Sequence, residues 1–477
     1  MEYKVMEVFN YPDRLCNLAV DAFGKCVSQL LIRLVRYFLS CTDAVLMKKH
    51  YVQEACRQLQ EMIVRTVPPI LANDVTIKLL RHLDQTYHKL YKTERVSSVE
   101  YVASEILCAI IHPDVMRLEC SEINSHPKLI DYYKPRASKF VYFALSRLEN
   151  LKVLKLGWAW NNTECKYSLT YIPEKLEQFS SWDCSDKDVE FLSISCKQLV
   201  SLDLTNSFRV SNASLPFLTK FKYLKELNVC GTYISQSGLT ELLTALAKTE
   251  VPGNYYPVCL SMLLKSFGCD NPLKAHIDLL VDNFQNLTSL YLRNVRSLSV
   301  VQLKHLAHLR NFTLTYVPLK LAEEVLRVIG LQLKYLDITV HTVLDLKSIC
   351  KYCPLLHCLH ISFHRGLCHQ SESTLIAYFE RVPLPVFQSV QCLQLAFYKP
   401  GVAEYILSRF VNVRRLYIIH DGSKGLFKDI LQRKQLRHLR QFYWGNHTVV
   451  EFSGEQAIIT RFNEERISVH SAQIRVS

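Results

Sequence analysis

The densest run of chemically capable side chains is Cys350-Lys-Tyr-Cys353-Pro-Leu-Leu-His357-Cys358-Leu-His360-Ile-Ser-Phe-His364, followed by Cys368-His369. A Cys-x-x-Cys beside several imidazoles has the residue types of a zinc site, because thiolate and neutral imidazole are ligands that zinc prefers. The register argues against that reading. Leu356, Leu359 and Ile361 mark a strand whose core side chains alternate, so Cys358 and His360 point away from Cys353. Cys353 stands three residues before Leu356, as Cys196 stands three before Leu199. Both thiols are therefore read as packed core residues, and no metal is expected. Elsewhere Ser, His and Asp are scattered, with no nucleophile elbow, glycine-rich phosphate loop or HExxH motif. Neither an enzyme nor a cofactor site is expected.

The pattern that positions these residues is a repeat. Leu199-Val-Ser-Leu202-Asp-Leu204 recurs as Leu224-Lys-Glu-Leu227-Asn-Val229, a 25-residue step from Leu199 to Leu224. That spacing and apolar order are the signature of a leucine-rich repeat. Strands are expected from Leu151, Leu176, Leu199, Leu224, Leu260, Leu287, Leu309, Leu333, Leu356, Val390, Val413 and Leu439, with a degenerate first member at Val115-x-x-Leu118-x-Cys120. Two steps are longer, and their excess in Lys248–Tyr256 and Arg365–Pro385 reads as loop insertions. Amphipathic segments such as Val189–Ile194 and Leu239–Leu246 read as helices between strands. The expected fold is α/β, a leucine-rich-repeat solenoid with a curved parallel sheet on its concave side and helices outside. Leu202, Leu204, Leu227, Leu290, Leu292, Leu336 and Leu359 should form its core.

Residues 1–110 show helical spacing instead, over Leu15–Leu39, Val52–Val64, Asp74–Leu90 and Ser98–Ile111, with Pro68 and Pro69 as a stop. The solenoid takes residues 111–448. Residues 449–477 alternate, as in Ile467-Ser-Val469-His and Ala472-Gln-Ile474-Arg-Val476, and read as strands closing the last repeat. Hydrophobic residues make up 49% and charged residues 21% of the 477, which excludes a largely disordered chain. The charged start resembles no secretory signal, so the 17 cysteines are expected to be reduced. No uncharged apolar run reaches the ~18 residues of a membrane helix. The expected location is the cytoplasm, with the nucleus open, and no membrane partner. The net charge is +13, and the basic run Arg433-Lys-Gln-Leu-Arg437-His-Leu-Arg440 reads as a solvated helix face. Without nucleic-acid motifs, no such partner is expected.

What remains is the concave face, where residues between core leucines point. Tyr291, Arg293, Tyr335, Asp337, Arg415 and Tyr417 lead this set, joined by Thr313, His360, Gln394, Gln441 and Tyr443, and earlier by Lys155, Ser201, Asp203, Glu226 and Asn228. Tyr and Arg are enriched at binding hot spots, so a protein partner is expected there.

The Cys-x-x-Leu-x-x-Leu-x-Leu units at Cys196 and Cys353 resemble the cysteine-containing repeats of F-box and Zyg-eleven-like proteins, over roughly residues 145–448. Those are substrate receptors of cullin–RING ubiquitin ligases. The resemblance implies a solenoid holding a protein substrate and a helical head docked on a Skp- or elongin-type adaptor and its cullin. Val67-Pro68-Pro69-Ile70-Leu71 is loosely similar to an F-box start. Arg14-Leu15-Cys-Asn-Leu-Ala19-Val-Asp-Ala-Phe23 stands where an elongin-binding box would, with Arg, Ala and Phe at the Ser/Thr, Cys and aliphatic positions. On this reading Leu15, Leu18, Ala22 and Cys26 dock the adaptor. The alternative is a non-enzymatic interaction scaffold whose helices only cap the solenoid.

Overall fold

The structure is a computed structural model that describes residues 3–41, 44–119, 140–156, 171–251, 258–295, 300–340, 346–363, 385–396, 405–418, 438–444, 448–453, 456–462 and 467–473. The chain divides into two compact units, Met1–Val210 and Ser211–Ser477.

The first unit opens with four helices: α1 (Tyr3–Ser40), α2 (Val45–Thr66), α3 (Ala72–Thr93) and α4 (Val96–Ile110). Val67 caps α2 in an extended conformation, and the prolines after it begin the short turn Pro69–Leu71. Both α1 and α3 bury apolar residues at three- and four-residue steps, Val27, Leu31 and Leu34 on α1 and Val75, Leu79, Leu83 and Tyr87 on α3. Gly24 lets these helices approach, since a Cβ there would sit 2.1 Å from the His82 ring. Four parallel strands follow in chain order, β1 (Arg117–Glu119), β2 (Val153–Lys155), β3 (Gln178–Ser180) and β4 (Ser201–Asp203). Between β3 and β4, α5 (Asp186–Ser195) starts at a capping box, with Ser185 N donating to Asp188 Oδ2 at 2.8 Å.

The second unit carries β5 (Glu226–Asn228), β6 (Glu250–Val251), β7 (Val258–Cys259), β8 (Ser266–Asp270), β9 (Ser289–Arg293), β10 (Asn311–Val317), β11 (Tyr335–Val340), β12 (Cys358–Phe363), β13 (Cys392–Ala396), β14 (Arg415–Ile418) and β15 (Gln441–Trp444). Apart from the antiparallel pair β6–β7, these strands form one parallel ladder in chain order. Helices α6 (Gln236–Lys248), α7 (Lys274–Asn283), α8 (Leu319–Ile329) and α9 (Leu346–Tyr352) occupy the connections. The chain then reverses. β16 (Thr448–Ser453), β17 (Gln456–Phe462) and β18 (Ile467–Gln473) add antiparallel onto β15, so its edge is paired.

This is the leucine-rich-repeat solenoid expected. Each strand begins two residues after its repeat leucine, as Ser201 follows Leu199 and Tyr335 follows Leu333. The seven leucines expected in the core are all at 0 or 1% exposure. The degenerate first member is β1, behind Val115. One strand start is corrected. Leu260 opens a helical turn, Leu260–Leu263, and the repeat leucine is Leu264, with Phe267 and Cys269 as its core partners. The step to Leu287 is then 23 residues, like its neighbours, and the insertion before it holds β6, β7 and that turn. The second insertion, Arg365–Pro385, lies outside the described residues except Pro385, as do His364, Cys368, His369, Cys120 and Arg433–Arg437.

Candidate functional site

The ladder register stacks the side chains of the second unit into rows. Leu290, Phe312, Leu336, Leu359, Leu393 and Leu416 form a core row, each at 0% exposure. The residue after each points to the sheet's open face: Tyr291, Thr313, Asp337, His360, Gln394 and Tyr417, with Tyr443 beyond.

At one end of this face, Tyr417 and Tyr443 stack with ring centroids 4.3 Å apart and planes 3° from parallel. Burial, then the neighbouring Tyr443, raises the Tyr417 phenol above its usual range. In the middle, the Tyr335 hydroxyl and His360 Nδ1 share a 3.0 Å hydrogen bond, and Asp337 Oδ2 lies 3.8 Å from that nitrogen. Burial, followed by the Asp337 charge, holds the Tyr335 phenol neutral. At the other end, Arg293 Nε is 3.7 Å from Asp270 Oδ1, and its guanidinium sits 5.5 Å over the Tyr316 ring. Asp270 Oδ2 also accepts from Gly231 N at 2.6 Å. Gly268 makes room for the Asn228 amide, since a Cβ there would meet its Oδ1 at 2.3 Å and the Tyr291 Cβ at 3.2 Å.

Arg415 is exposed at the first position of β14, in register with Cys392, which in turn pairs with Cys358. The two thiols lie side by side on the open face. A hydrogen bond from Cys392 pulls the Cys358 thiol below its usual range, helped by Arg415, and the donor is pushed up in turn.

The chemistry-bearing run is thus divided as its register implied. Cys353 is 3% exposed, is pushed up to about 12 by burial, and closes α9 by donating its N–H to Ile349 O. Cys196 has the same place after α5. Cys350 Sγ donates to Val386 O at 3.8 Å, while Cys358 and His360 stand on the other face.

No family model matches the chain, and no curated protein matches it. The crystal structure of the Rad7 and Elc1 complex in yeast is similar at 15% identity and a TM-score of 0.31, over 52% of this chain and 78% of that one.

The sequence-predicted adaptor residues lie on α1. Leu18 is 66% exposed, and Ala22 and Cys26, at four-residue steps from it, are exposed on the same stripe. The Leu15 side chain lies outside the described ones. No helix among the described residues is long and apolar enough to cross a membrane.

Two features escaped sequence reasoning. Tyr316 adopts φ 55° at a register shift in β10. The equivalent left-handed position holds Asn206, Gly231, Asn271 and Asn294 in other repeats, so aligning the repeats would have exposed the odd residue. Asn73 accepts from Met116 N and Arg117 N, both at 3.0 Å. In later repeats those N–H groups find the carbonyl of the preceding repeat, as Lys152 and Val153 find Met116 O.

Proposed function

We propose that the chain is a non-enzymatic protein-binding repeat protein whose open sheet face holds a client protein, and that it serves as the substrate receptor of a cullin–RING ubiquitin ligase. The observation that carries the binding role is the open face of the second unit, where Tyr291, Tyr335, Tyr417 and Tyr443 are half-buried beside charged Arg293, Asp337 and Arg415. Aromatic rings held by their neighbours lose little entropy on binding, which is why Tyr and Arg dominate hot spots.

The adaptor role rests on α1. Its inner face is spent on α3 and α4, while Leu18, Ala22 and Cys26 form an outward stripe that packing within the unit does not use. The ligase reading takes this stripe as the surface for a Skp- or elongin-type adaptor. The scaffold alternative is favoured by Asn73, whose oxygen stands in for a missing repeat and gives α3 a capping role. The two roles fall on different helices, because α3 does the capping and α1 lies behind it.

Affinity purification from cells tests the pair. The expected result is a cullin and its adaptor with the native protein and neither with Leu18→Asp, which places a charge in an apolar contact. Tyr335→Ala with Tyr417→Ala should keep the adaptor and lose the client. Clients without any adaptor or cullin would leave the scaffold reading standing and remove the ligase one.

A further inference from the structure

The edge of the second unit where the parallel strands begin carries a row of nine side chains, six of them Lys or Arg. The residue just before each strand of the parallel ladder is Lys225, Lys265, Thr288, Arg310, Lys334, His357, Gln391, Arg414 or Arg440, from β5 and from β8 to β15. Strand spacing in a sheet is ~4.8 Å, so this row runs for roughly 38 Å. Register makes it. The backbone carbonyl at this position accepts two N–H groups from the next repeat, as Arg310 O does from Lys334 and Tyr335, so every such side chain is delivered to the same edge.

The row is unneutralised. In the first unit the equivalent residues Lys152 and Glu177 form an ion pair at 2.9 Å. In the second, none of Lys225, Lys265, Lys334, Arg414 and Arg440 has an acidic partner among the described residues, and Arg310 donates only to the carbonyls of Ala307 and Leu309.

Two grooves open on this edge. One, of about 480 Å³, is lined by Lys265, Asn286, Thr288, His308 and Arg310. The other, of about 390 Å³, is lined by residues including Leu355, His357, Gln391, Asn412, Arg414 and His438. Neither is lined by a carboxylate.

We propose that this edge binds an acidic, aliphatic-containing segment of a partner protein, at a site separate from the open-face tyrosines. Charge complementarity requires an anionic partner, and Arg and Lys are the groups that hold carboxylates. The apolar side chains exposed beside the row are mostly aliphatic: Met262 at 54%, Leu331 at 69%, Leu355 at 53% and Val411 at 37%. Single-stranded nucleic acid needs successive ring faces to stack its bases, and Tyr223 is the exposed tyrosine here, at 42%. An extended peptide laid along the row presents alternate side chains every ~7 Å, a mismatch that flexible lysine and arginine stems absorb.

The test is fluorescence anisotropy on the full chain with a labelled peptide of repeated Glu-Glu-Leu units, alongside oligothymidylate and phosphatidylserine vesicles. The peptide should bind, weaken steeply with salt, and lose more than about tenfold in affinity on Lys265→Glu with Arg310→Glu or Lys334→Glu with Arg414→Glu. Lys187→Glu on α5 serves as the charge control and should change little. Tyr335→Ala with Tyr417→Ala should leave peptide binding intact, which separates this site from the client face. A circular-dichroism melt checks that each variant is folded. Tighter binding of oligothymidylate or vesicles than of peptide, no peptide binding at low salt, or equal loss with Lys187→Glu would each overturn the proposal.

Discussion

The side-chain oxygen of Asn73 accepts the backbone N–H of Arg117 at 3.0 Å, and that of Met116 at the same distance. It does for the first strand what a backbone carbonyl does for β2 to β4 and for β8 to β15. Asn73→Ala should leave two exposed donors at a sheet edge to water and cost about 0.5–1.5 kcal/mol. Amide hydrogen exchange reads this locally: Met116 and Arg117 should lose protection in Asn73→Ala and largely keep it in Asn73→Asp, which retains an acceptor. Unchanged protection in the alanine variant would remove the capping role.

Tyr316 sits at φ 55° where neighbouring repeats use Asn or Gly. A bulky residue in the left-handed region costs about 1–2 kcal/mol. Tyr316→Asn should therefore raise stability by about 1 kcal/mol in urea unfolding. It should also remove the ring beneath Arg293 and weaken client binding. Strain retained at a binding face is the expected trade, and a variant that is less stable would show the tyrosine to be structural.

His276 is fully buried in α7, and its Nδ1 accepts from Leu273 N at 2.9 Å while Nε2 faces Gln236 O at 3.0 Å. Only the neutral ring can accept at one nitrogen and donate at the other, and burial lowers its pKa from the ordinary 6.5. A base with a depressed folded pKa is bound by more protons when unfolded. Stability is then complete above pH ~6.5 and falls as pH drops below it. His82, also lowered by burial, though raised in part by Asp21, adds in the same direction. The melting temperature should fall between pH 7 and 5.5, and less so in His276→Gln. Identical pH profiles for the two proteins would exclude His276 as a source.

Cys358 should be the most reactive of the described thiols near neutral pH, because Cys392 donates to it and Arg415 favours its thiolate. Burial pushes Cys196 and Cys353 up to about 12, which keeps them inert. Peptide mapping after brief iodoacetamide treatment should find Cys358 alkylated first. Cys392→Ala should slow that reaction severalfold, because the Cys358 thiolate fraction falls as its pKa rises, while Cys392→Ser, which keeps a hydroxyl donor, should slow it less. Uniform labelling across the cysteines would contradict the pairing.

The period of two along Leu202-Asp-Leu204 and the repeat step determined the strand, its buried face and the opposite placement of Cys353 and His360. These are local properties: alternation and spacing act within one repeat, and burial of an apolar face leaves them few options. The same locality misled at Leu260, where Leu260-Ser-Met-Leu263 imitates the motif, while Leu264-x-x-Phe267-x-Cys269 carries it with less typical residues. Tertiary structure alone decided which side chains meet. Cys358 and Cys392 are 34 residues apart with an insertion between them, and only strand pairing makes them neighbours. Asn73 reaches Arg117 across 44 residues. Such contacts depend on the order and register of elements, which no local pattern encodes.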